Sequence, residues 1–309
     1  MQKIKYNSAK LKKNEIFKWM IKFALKAGKI ILEYRGKTQP VNKSHDLYSG
    51  KNLTDSSVKT IIDDVIQELF LSEIYFKYSD YNINAEEKTP VKFLFRTKNE
   101  NPCLHIDPLD GTKSYIDMKK EFTVGMAISD KKNNFSHTVI YAPALKKLFI
   151  ASPNDYDILN EKLKKIPKKI IIKSNIIYEK RMLSDAGIAK IKSIGFEIKK
   201  PLSAHLAIIG TVLGENSAFL YGGSQVHDGL VPLAFAIANG VKPLNAKGKE
   251  IKNTDIQTKI EENELKFARI PSLCYFSKTE KKIKNVLEIL SKKENLHPEY
   301  LSKFATYDK

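Results

Sequence analysis

The stretch from His105 to Tyr115, H-I-D-P-L-D-G-T-K-S-Y, constrains this chain more than any other. Asp107 and Asp110 flank Pro108 and Leu109, and Gly111-Thr112 follows at once. Upstream, Leu94-Phe95 and Cys103 to Ile106 are short apolar segments of strand character. A strand is therefore expected to end at Asp107. A turn and a helix start should follow, because Pro108 sets its own φ and discourages an earlier helix. That geometry directs two acids into one small volume. It also presents the Gly111 and Thr112 amides at a helix N-terminus, where an anion is favoured. Clustered hard oxygens beside N–H groups are what a Mg2+–phosphate site needs. Asp-Gly is also a frequent turn pair, so on these residues alone a surface turn stands beside the metal reading.

The chain around this stretch is 309 residues long, enough for one large or two ordinary domains. A hydrophobic content of 42% beside 28% charged residues makes it globular rather than disordered. The net charge of +18 favours anionic partners, but the excess is mostly lysine spread along the whole chain. No recognition module accompanies it, so a nucleic-acid partner is not expected. Cys103 and Cys274 form neither a zinc spacing nor a disulfide framework, which points to a reducing, cytoplasmic compartment. Lys22, Lys26 and Lys29 interrupt the apolar run from Met20 to Leu32, so neither a signal peptide nor a membrane span is expected.

In chain order, Asn14 can cap a helix to about Tyr34, with Ile16, Met20, Phe23, Ala24, Ala27, Ile31 and Tyr34 on one face. A polar loop over 35–53 leads to a second helix from Thr54 or Asp55, with Val58, Ile61, Ile62, Val65, Ile66, Leu69 and Phe70 as its apolar stripe. Asp55 reads as an N-cap, as an acid facing Asp107, or as both. Ile83-Asn84-Ala85 is a short strand that delivers Glu86 and Glu87, an acidic pair that also suits a solvated loop.

Beyond the motif, Glu121 to Ser129, Phe135 to Ala142 and Lys147 to Ala151 alternate as strands of an antiparallel meander. The polar stretch 153–168 suits an inter-domain region. Strands at Lys169 to Lys173, Phe196 to Lys199, Ala218 to Tyr221 and Leu273 to Phe276 then alternate with helices. The helices are Tyr178 to Ile194, Ser203 to Leu213, Asp228 to Asn239 and Thr279 to Leu290. The expectation is an α+β domain over 1–155 that supplies Asp55, Glu86, Asp107 and Asp110, and an α/β domain over 156–309 that supplies Asp228, with a substrate site between them. Gly222 to Asp228 places an acid at a helix start after a Gly-rich loop. Asp228 serves there as an N-cap, or as a ligand if it meets Asp107 and Asp110 in space. His205, on an apolar helix, reads as a core histidine or as a ligand.

Together these pieces resemble the lithium-sensitive, Mg2+-dependent phosphatases that include inositol monophosphatase. That family's pattern is a G-E-E-type segment, then D-P-[IL]-D-G-T about twenty residues on, then W-D near a distant helix start. Here these are Ala85-Glu86-Glu87, Asp107 to Thr112, and His227-Asp228. The local text is most similar to the CysQ-type 3′(2′),5′-bisphosphate nucleotidases: D-P-L-D-G-T-K with a nearby aromatic, Glu121-Phe122-Thr123-Val124, and Tyr141-Ala142-Pro143-Ala144.

The resemblance implies a layered αβαβα sugar-phosphatase fold, α+β and α/β in its halves. It implies two or three Mg2+ ions held by Glu86, Asp107, Asp110, Asp228 and the Leu109 carbonyl, which clamp the phosphate and lower the pKa of a bound water. Glu86, Thr112 and Asp55 would orient that water, and the Gly111 and Thr112 amides would hold phosphate oxygens. His205, Tyr221 and His227 would face the substrate. Several residues depart from the family pattern. His227 replaces the usual Trp, Gly229-Leu230-Val231-Pro232 replaces a run of small residues, Tyr221-Gly222-Gly223 lacks the arginine of a Y-P-R segment, and His205 stands where a lysine is common.

The expected activity is Mg2+-dependent hydrolysis of 3′-phosphoadenosine 5′-phosphate to AMP and phosphate. Inositol 1-phosphate, or another sugar or histidinol phosphate, is the rival substrate class. A non-catalytic nucleotide- or polyanion-binding protein is the rival of a different kind. The partner is a small phosphorylated molecule rather than nucleic acid or membrane, on a chain acting as monomer or homodimer.

Overall fold

The computed structural model describes residues 15–42, 58–95, 101–167, 174–222, 226–252, 255–261, 264–269, 272–278 and 282–304. Helix α1 (Glu15–Glu33) forms as its periodicity dictates and buries Ile16, Met20, Phe23, Ala24, Ala27 and Ile31, but Tyr34 lies past its end and is exposed, and Asn14 lies outside the described residues. Strands β1 (Pro40–Asn42) and β2 (Val58–Thr60) pair antiparallel. Helix α2 (Ile61–Tyr78) follows directly. It starts later than Thr54 or Asp55, because Thr60 and Asp63 close a capping box at residue 60. Its buried face is also rotated from the expected stripe. Ile61 and Val65 are exposed, while Asp63 and Gln67 are buried beside Ile62, Ile66 and Phe70. Both polar residues have partners there that offset their desolvation.

Among the described residues, β3 (Asn82–Ala85), β4 (Cys103–Asp110), β5 (Thr123–Ser129), β6 (Phe135–Ala142), β7 (Lys147–Ser152) and β8 (Asp155–Asn160) form one sheet in that order. β3 and β4 are parallel, and the rest is the expected antiparallel meander. β8 carries the sheet on to Asn160, into the polar stretch whose composition suits a linker. Only Ile158 and Leu159 of that strand are buried, so it carries no alternating signal. Short helix α3 (Thr112–Ile116) follows β4.

The second sheet has the order β10 (Glu197–Lys199), β9 (Ile176–Lys180), β11 (Ala218–Tyr221), β14 (Leu273–Phe276). The first three are parallel and β14 is antiparallel to β11. Residues 178–180, expected to open a helix, belong to β9; helix α4 (Asp185–Ser193) begins later, capped by Ser184. Helix α5 (Ala204–Leu213) is capped by Ser203 and ends at Gly214 as expected. The expected helix from Asp228 divides into α6 (Val226–Leu230) and α7 (Leu233–Ala238), because Pro232 cannot donate within a continuous helix. A hairpin of β12 (Gln257–Glu261) and β13 (Glu264–Arg269) precedes β14, and helices α8 (Ile283–Leu290) and α9 (Pro298–Phe304) close the described chain. The strand expected over 169–173 lies outside the described residues.

Strand alternation separates the layers. Met126 and Ile128 of β5 pack with α1 and α2, whereas Ala127 packs with α5 and α7. Phe219 and Tyr221 of β11 share that middle layer, whereas Ala218 and Leu220 face Ile191 of α4 and Val286 and Leu290 of α8. The result is helix, sheet, helix, sheet, helix: the layered αβαβα architecture, with both sheets covered on both faces. No helix among the described residues is long and apolar enough to cross a membrane.

Candidate active site

The two acids of the central motif stand three residues apart on one strand, and a regular strand would point them to opposite faces. The β4–β5 register resolves this. Asp107 is opposite Gly125 and Asp110 opposite Thr123, so three steps on β4 match two on β5. The extra residue is a bulge built on Pro108 and Leu109, which re-aims the second acid. Pro108 suits the bulge because it has no N–H to leave unpaired. The expected strand end at Asp107 is therefore a bulge, and β4 continues to Asp110. Gly111 then turns the chain with φ +83, and a Cβ there would lie 2.7 Å from the Glu121 carbonyl oxygen and 2.9 Å from that of Leu202. Only glycine fits.

Asp228, from α6, joins them. One carboxylate oxygen from each of Asp107, Asp110 and Asp228 lies within 4.8 Å of the others, and all three residues are buried. Glu86 follows β3 and is hydrogen-bonded to Asp107. Burial, then Glu86, Asp110 and Asp228 in turn, raise the Asp107 carboxyl well above the usual carboxylate range. Glu87 turns the other way, to Lys59 Nζ at 3.5 Å, so only one of the acidic pair joins the cluster. A buried, all-oxygen set of mutually repelling acids fits a hard divalent cation, and oxygen donors select Mg2+ over zinc.

The cluster is held from behind. Asp110 accepts hydrogen bonds from Ser203 Oγ, from the Ala204 amide at 3.1 Å and from the His205 amide at 3.0 Å, so the first turn of α5 faces its carboxylate. The Leu109 amide donates to Asp107 Oδ1 at 3.1 Å. His205 is fully buried. Its Nε2 donates to the His227 carbonyl at 2.8 Å, and its Nδ1 is 2.9 Å from Thr123 Oγ1. A side chain at residue 125 would strike that imidazole, so Gly125 of β5 makes room for it. Tyr221 is also fully buried, and its hydroxyl donates to Asp228 Oδ2 at 3.0 Å. His205 and Tyr221 thus touch the acids and their supports, and His227 meets His205 through its main chain. His105 stays neutral within β4. Asn84 donates to its Nδ1 at 3.1 Å, which leaves Nε2–H for Ser129 Oγ at 2.8 Å; burial and then His227 push its pKa down to about 3.

Thr112 Oγ1 lies 2.9 Å from the Leu109 carbonyl and 3.2 Å from Asp63 Oδ1. Asp55 lies outside the described residues; Asp63 is the α2 acid at this threonine. Its signal was present as Thr60-Ile61-Ile62-Asp63, a capping-box spacing read as part of an apolar run. Lys180, at the end of β9, was also missed. Its Nζ is 2.7 Å from Asp228 Oδ2. Although burial opposes it, that ammonium holds the Asp228 carboxyl below the usual range. No local motif announces Lys180.

Comparison with known proteins extends this. The inositol monophosphatase family model matches residues 12–229. The Nus factor SuhB of Haemophilus influenzae is 24% identical over 217 residues, covering 70% of this chain and 71% of its own. A crystal structure of an IMPase/NADP phosphatase complexed with NADP and Ca2+ superposes with a TM-score of 0.70 at 16% identity, covering 92% of this chain and 97% of its own. The IMPase/NADP phosphatase complexed with Mg2+ and phosphate gives the same TM-score, identity and coverage. A match over most of the sequence, on a fold shared nearly end to end, establishes that the chain belongs to the inositol monophosphatase family.

Proposed function

We propose that this chain is a Mg2+-dependent phosphomonoesterase whose substrate is 3′-phosphoadenosine 5′-phosphate, cleaved to AMP and phosphate. The observation that carries the phosphatase reading is the convergence of Asp107, Asp110 and Asp228 within 4.8 Å, with Thr112 and Asp63 alongside. Glu86, Asp107, Asp110, Asp228 and the Leu109 carbonyl would hold Mg2+. When bound, the ion supplies positive charge to the phosphate and acidifies water.

The chain's own groups supply the orientation. The Thr112 hydroxyl donates toward Asp63 Oδ1 and accepts from the attacking water, so Asp63 fixes the direction of the water's lone pair. Glu86, beside Asp107, is the second acid that orients that water. The Gly111 and Thr112 amides, at the first turn of α3, receive phosphate oxygens. Water adds to phosphorus as the bond from phosphorus to the 3′ oxygen breaks, and the proton that the attacking water loses ends on the leaving 3′ oxygen.

A cavity of about 920 Å3 supports a nucleotide leaving group. Leu202 and Ser203 form part of its wall, and the same segment contacts Asp110 and backs Gly111. Tyr156 and Tyr178 offer aromatic faces, and Lys147, Lys199, Lys200 and Lys278 offer positive charge. The structural neighbour complexed with NADP, also a phosphorylated adenine nucleotide, favours the same class. Because that neighbour is named for IMPase activity as well, inositol 1-phosphate is the second reading.

The test is phosphate release from 3′-phosphoadenosine 5′-phosphate, inositol 1-phosphate, fructose 1,6-bisphosphate and histidinol phosphate, each with Mg2+ and with EDTA. The expected result is Mg2+-dependent turnover that is fastest on the nucleotide. Faster turnover of a sugar phosphate would keep the mechanism and reassign the substrate. No turnover of any substrate would favour a nucleotide- or polyanion-binding protein.

A further inference from the structure

Lys180 sits where an acid cluster of this kind needs a cation. Its Nζ is 2.7 Å from Asp228 Oδ2, and the same oxygen accepts the Tyr221 hydroxyl at 3.0 Å. That oxygen is thus engaged by two protein donors, and only the other oxygen of Asp228 remains for a metal. The lysine is not a mobile surface residue. It ends β9 directly opposite Tyr221 of β11 in a parallel register, its Nζ is 5.7 Å from the Tyr221 ring centroid, and its side chain is 23% exposed. Backbone pairing, ring and carboxylate hold the ammonium in one place. Asp228 is in turn within 4.8 Å of Asp107 and Asp110. A fixed positive charge is therefore built into the same first layer of contacts that divalent ions would fill.

We propose that the Lys180 ammonium takes the place of one divalent cation at Asp228, so that this chain completes its acid cluster with one ion fewer than the same carboxylates would hold without it. The proposal rests on the reading of Glu86, Asp107, Asp110 and Asp228 as metal ligands. One positive charge offsets one of the four carboxylates and occupies an Asp228 oxygen that would otherwise be open to a cation. Arginine at residue 180 would preserve the charge, and an uncharged side chain would free the oxygen.

The test counts ions rather than turnover. Mg2+ is titrated calorimetrically, and bound Mn2+ is counted by electron paramagnetic resonance, on the wild-type chain and on Lys180→Met, Lys180→Gln and Lys180→Arg. Thermal melts identify which variants are folded, and the glutamine variant serves if methionine does not fold. The expected result is one additional ion per chain in the methionine or glutamine variant, and the wild-type number in the arginine variant. The same number of ions in all folded variants would overturn the proposal while leaving the metal reading intact. No divalent ion bound to the wild-type chain would overturn both.

Discussion

Oδ1 of Asp63 lies 3.2 Å from Oγ1 of Thr112, across 49 residues of sequence. The other oxygen of the same carboxylate accepts from the Thr60 amide at 2.7 Å and the Thr60 hydroxyl at 2.9 Å. One side chain therefore starts a helix and touches the centre of the candidate site. Its two tasks are separable by substitution. Asp63→Asn keeps an oxygen for the cap but presents an amide donor to Thr112. Turnover is expected to fall about 100- to 10,000-fold, the usual range for a positioned acid–base group. Thr60→Ala loses much of the cap, at a cost of about 1 kcal/mol, and should keep most of the turnover. Phosphate release and urea denaturation on both variants distinguish the roles. Equal turnover losses in the two would show that Asp63 acts only through the helix.

Asp110 receives two main-chain amides and the Ser203 hydroxyl from the start of α5. An asparagine oxygen still accepts on one side, from the His205 amide and Ser203 or from the Ala204 amide, but it lacks the charge a cation needs. Asp110→Asn should therefore retain the far-ultraviolet circular dichroism of the wild-type chain and lose most of its Mg2+-dependent turnover. Turnover at the wild-type rate would remove Asp110 from the site.

Gly111 combines a φ of +83 with main-chain oxygens of Glu121 and Leu202 that stand within 3 Å of where a β-carbon would lie. Gly111→Ala adds a left-handed strain of about 1–2 kcal/mol and a collision that only backbone movement relieves. The variant is expected to lose about 2 kcal/mol or more in urea denaturation and to lose activity with it. A denaturation midpoint equal to that of the wild type would contradict the tight approach of these three segments.

His137 of β6 packs its ring 4.9 Å from that of Phe17 of α1, with Nδ1 2.8 Å from Ser136 Oγ. Burial holds its pKa below the ordinary 6.5. As the pH falls, the unfolded chain takes up this proton before the folded chain does. The contribution of His137 to stability is therefore complete above about pH 6.5 and is lost as the pH falls below it, toward the lowered folded-state value. His137→Gln should show a smaller loss of denaturation free energy between pH 7.5 and pH 5 than the wild type. An identical pH dependence in the two chains would show that this imidazole titrates alike in the folded and unfolded states.

The helices α1 and α5, the meander from β5 to β7 and the turn chemistry of Asp107 to Thr112 are all legible in the sequence, for one reason. Each is written in residues within a few positions of one another: an apolar repeat, a cap, a proline, a glycine. The acids Glu86, Asp107, Asp110 and Asp228 stood out only as a set, since each alone also suits a turn, a cap or a solvated loop.

Tertiary structure alone decided how these pieces meet. It turned Asp63 rather than Ile61 inward on α2, because Thr112 and the Glu87 loop supply polar partners on that side. It brought Asp107 and Asp110 to one face, because the β4–β5 register absorbs an extra residue at the proline. It set Lys180 against Asp228, because β9 and β11 pair in parallel with Lys180 opposite Tyr221. The local sequence marks a cap at Asp63 and a turn at Pro108, but not the distant partners, Thr112 for Asp63 and Asp228 for Lys180, which lie 49 and 48 residues away. Short-range pattern determined the elements and the acids, and strand register and burial decided which charges face one another.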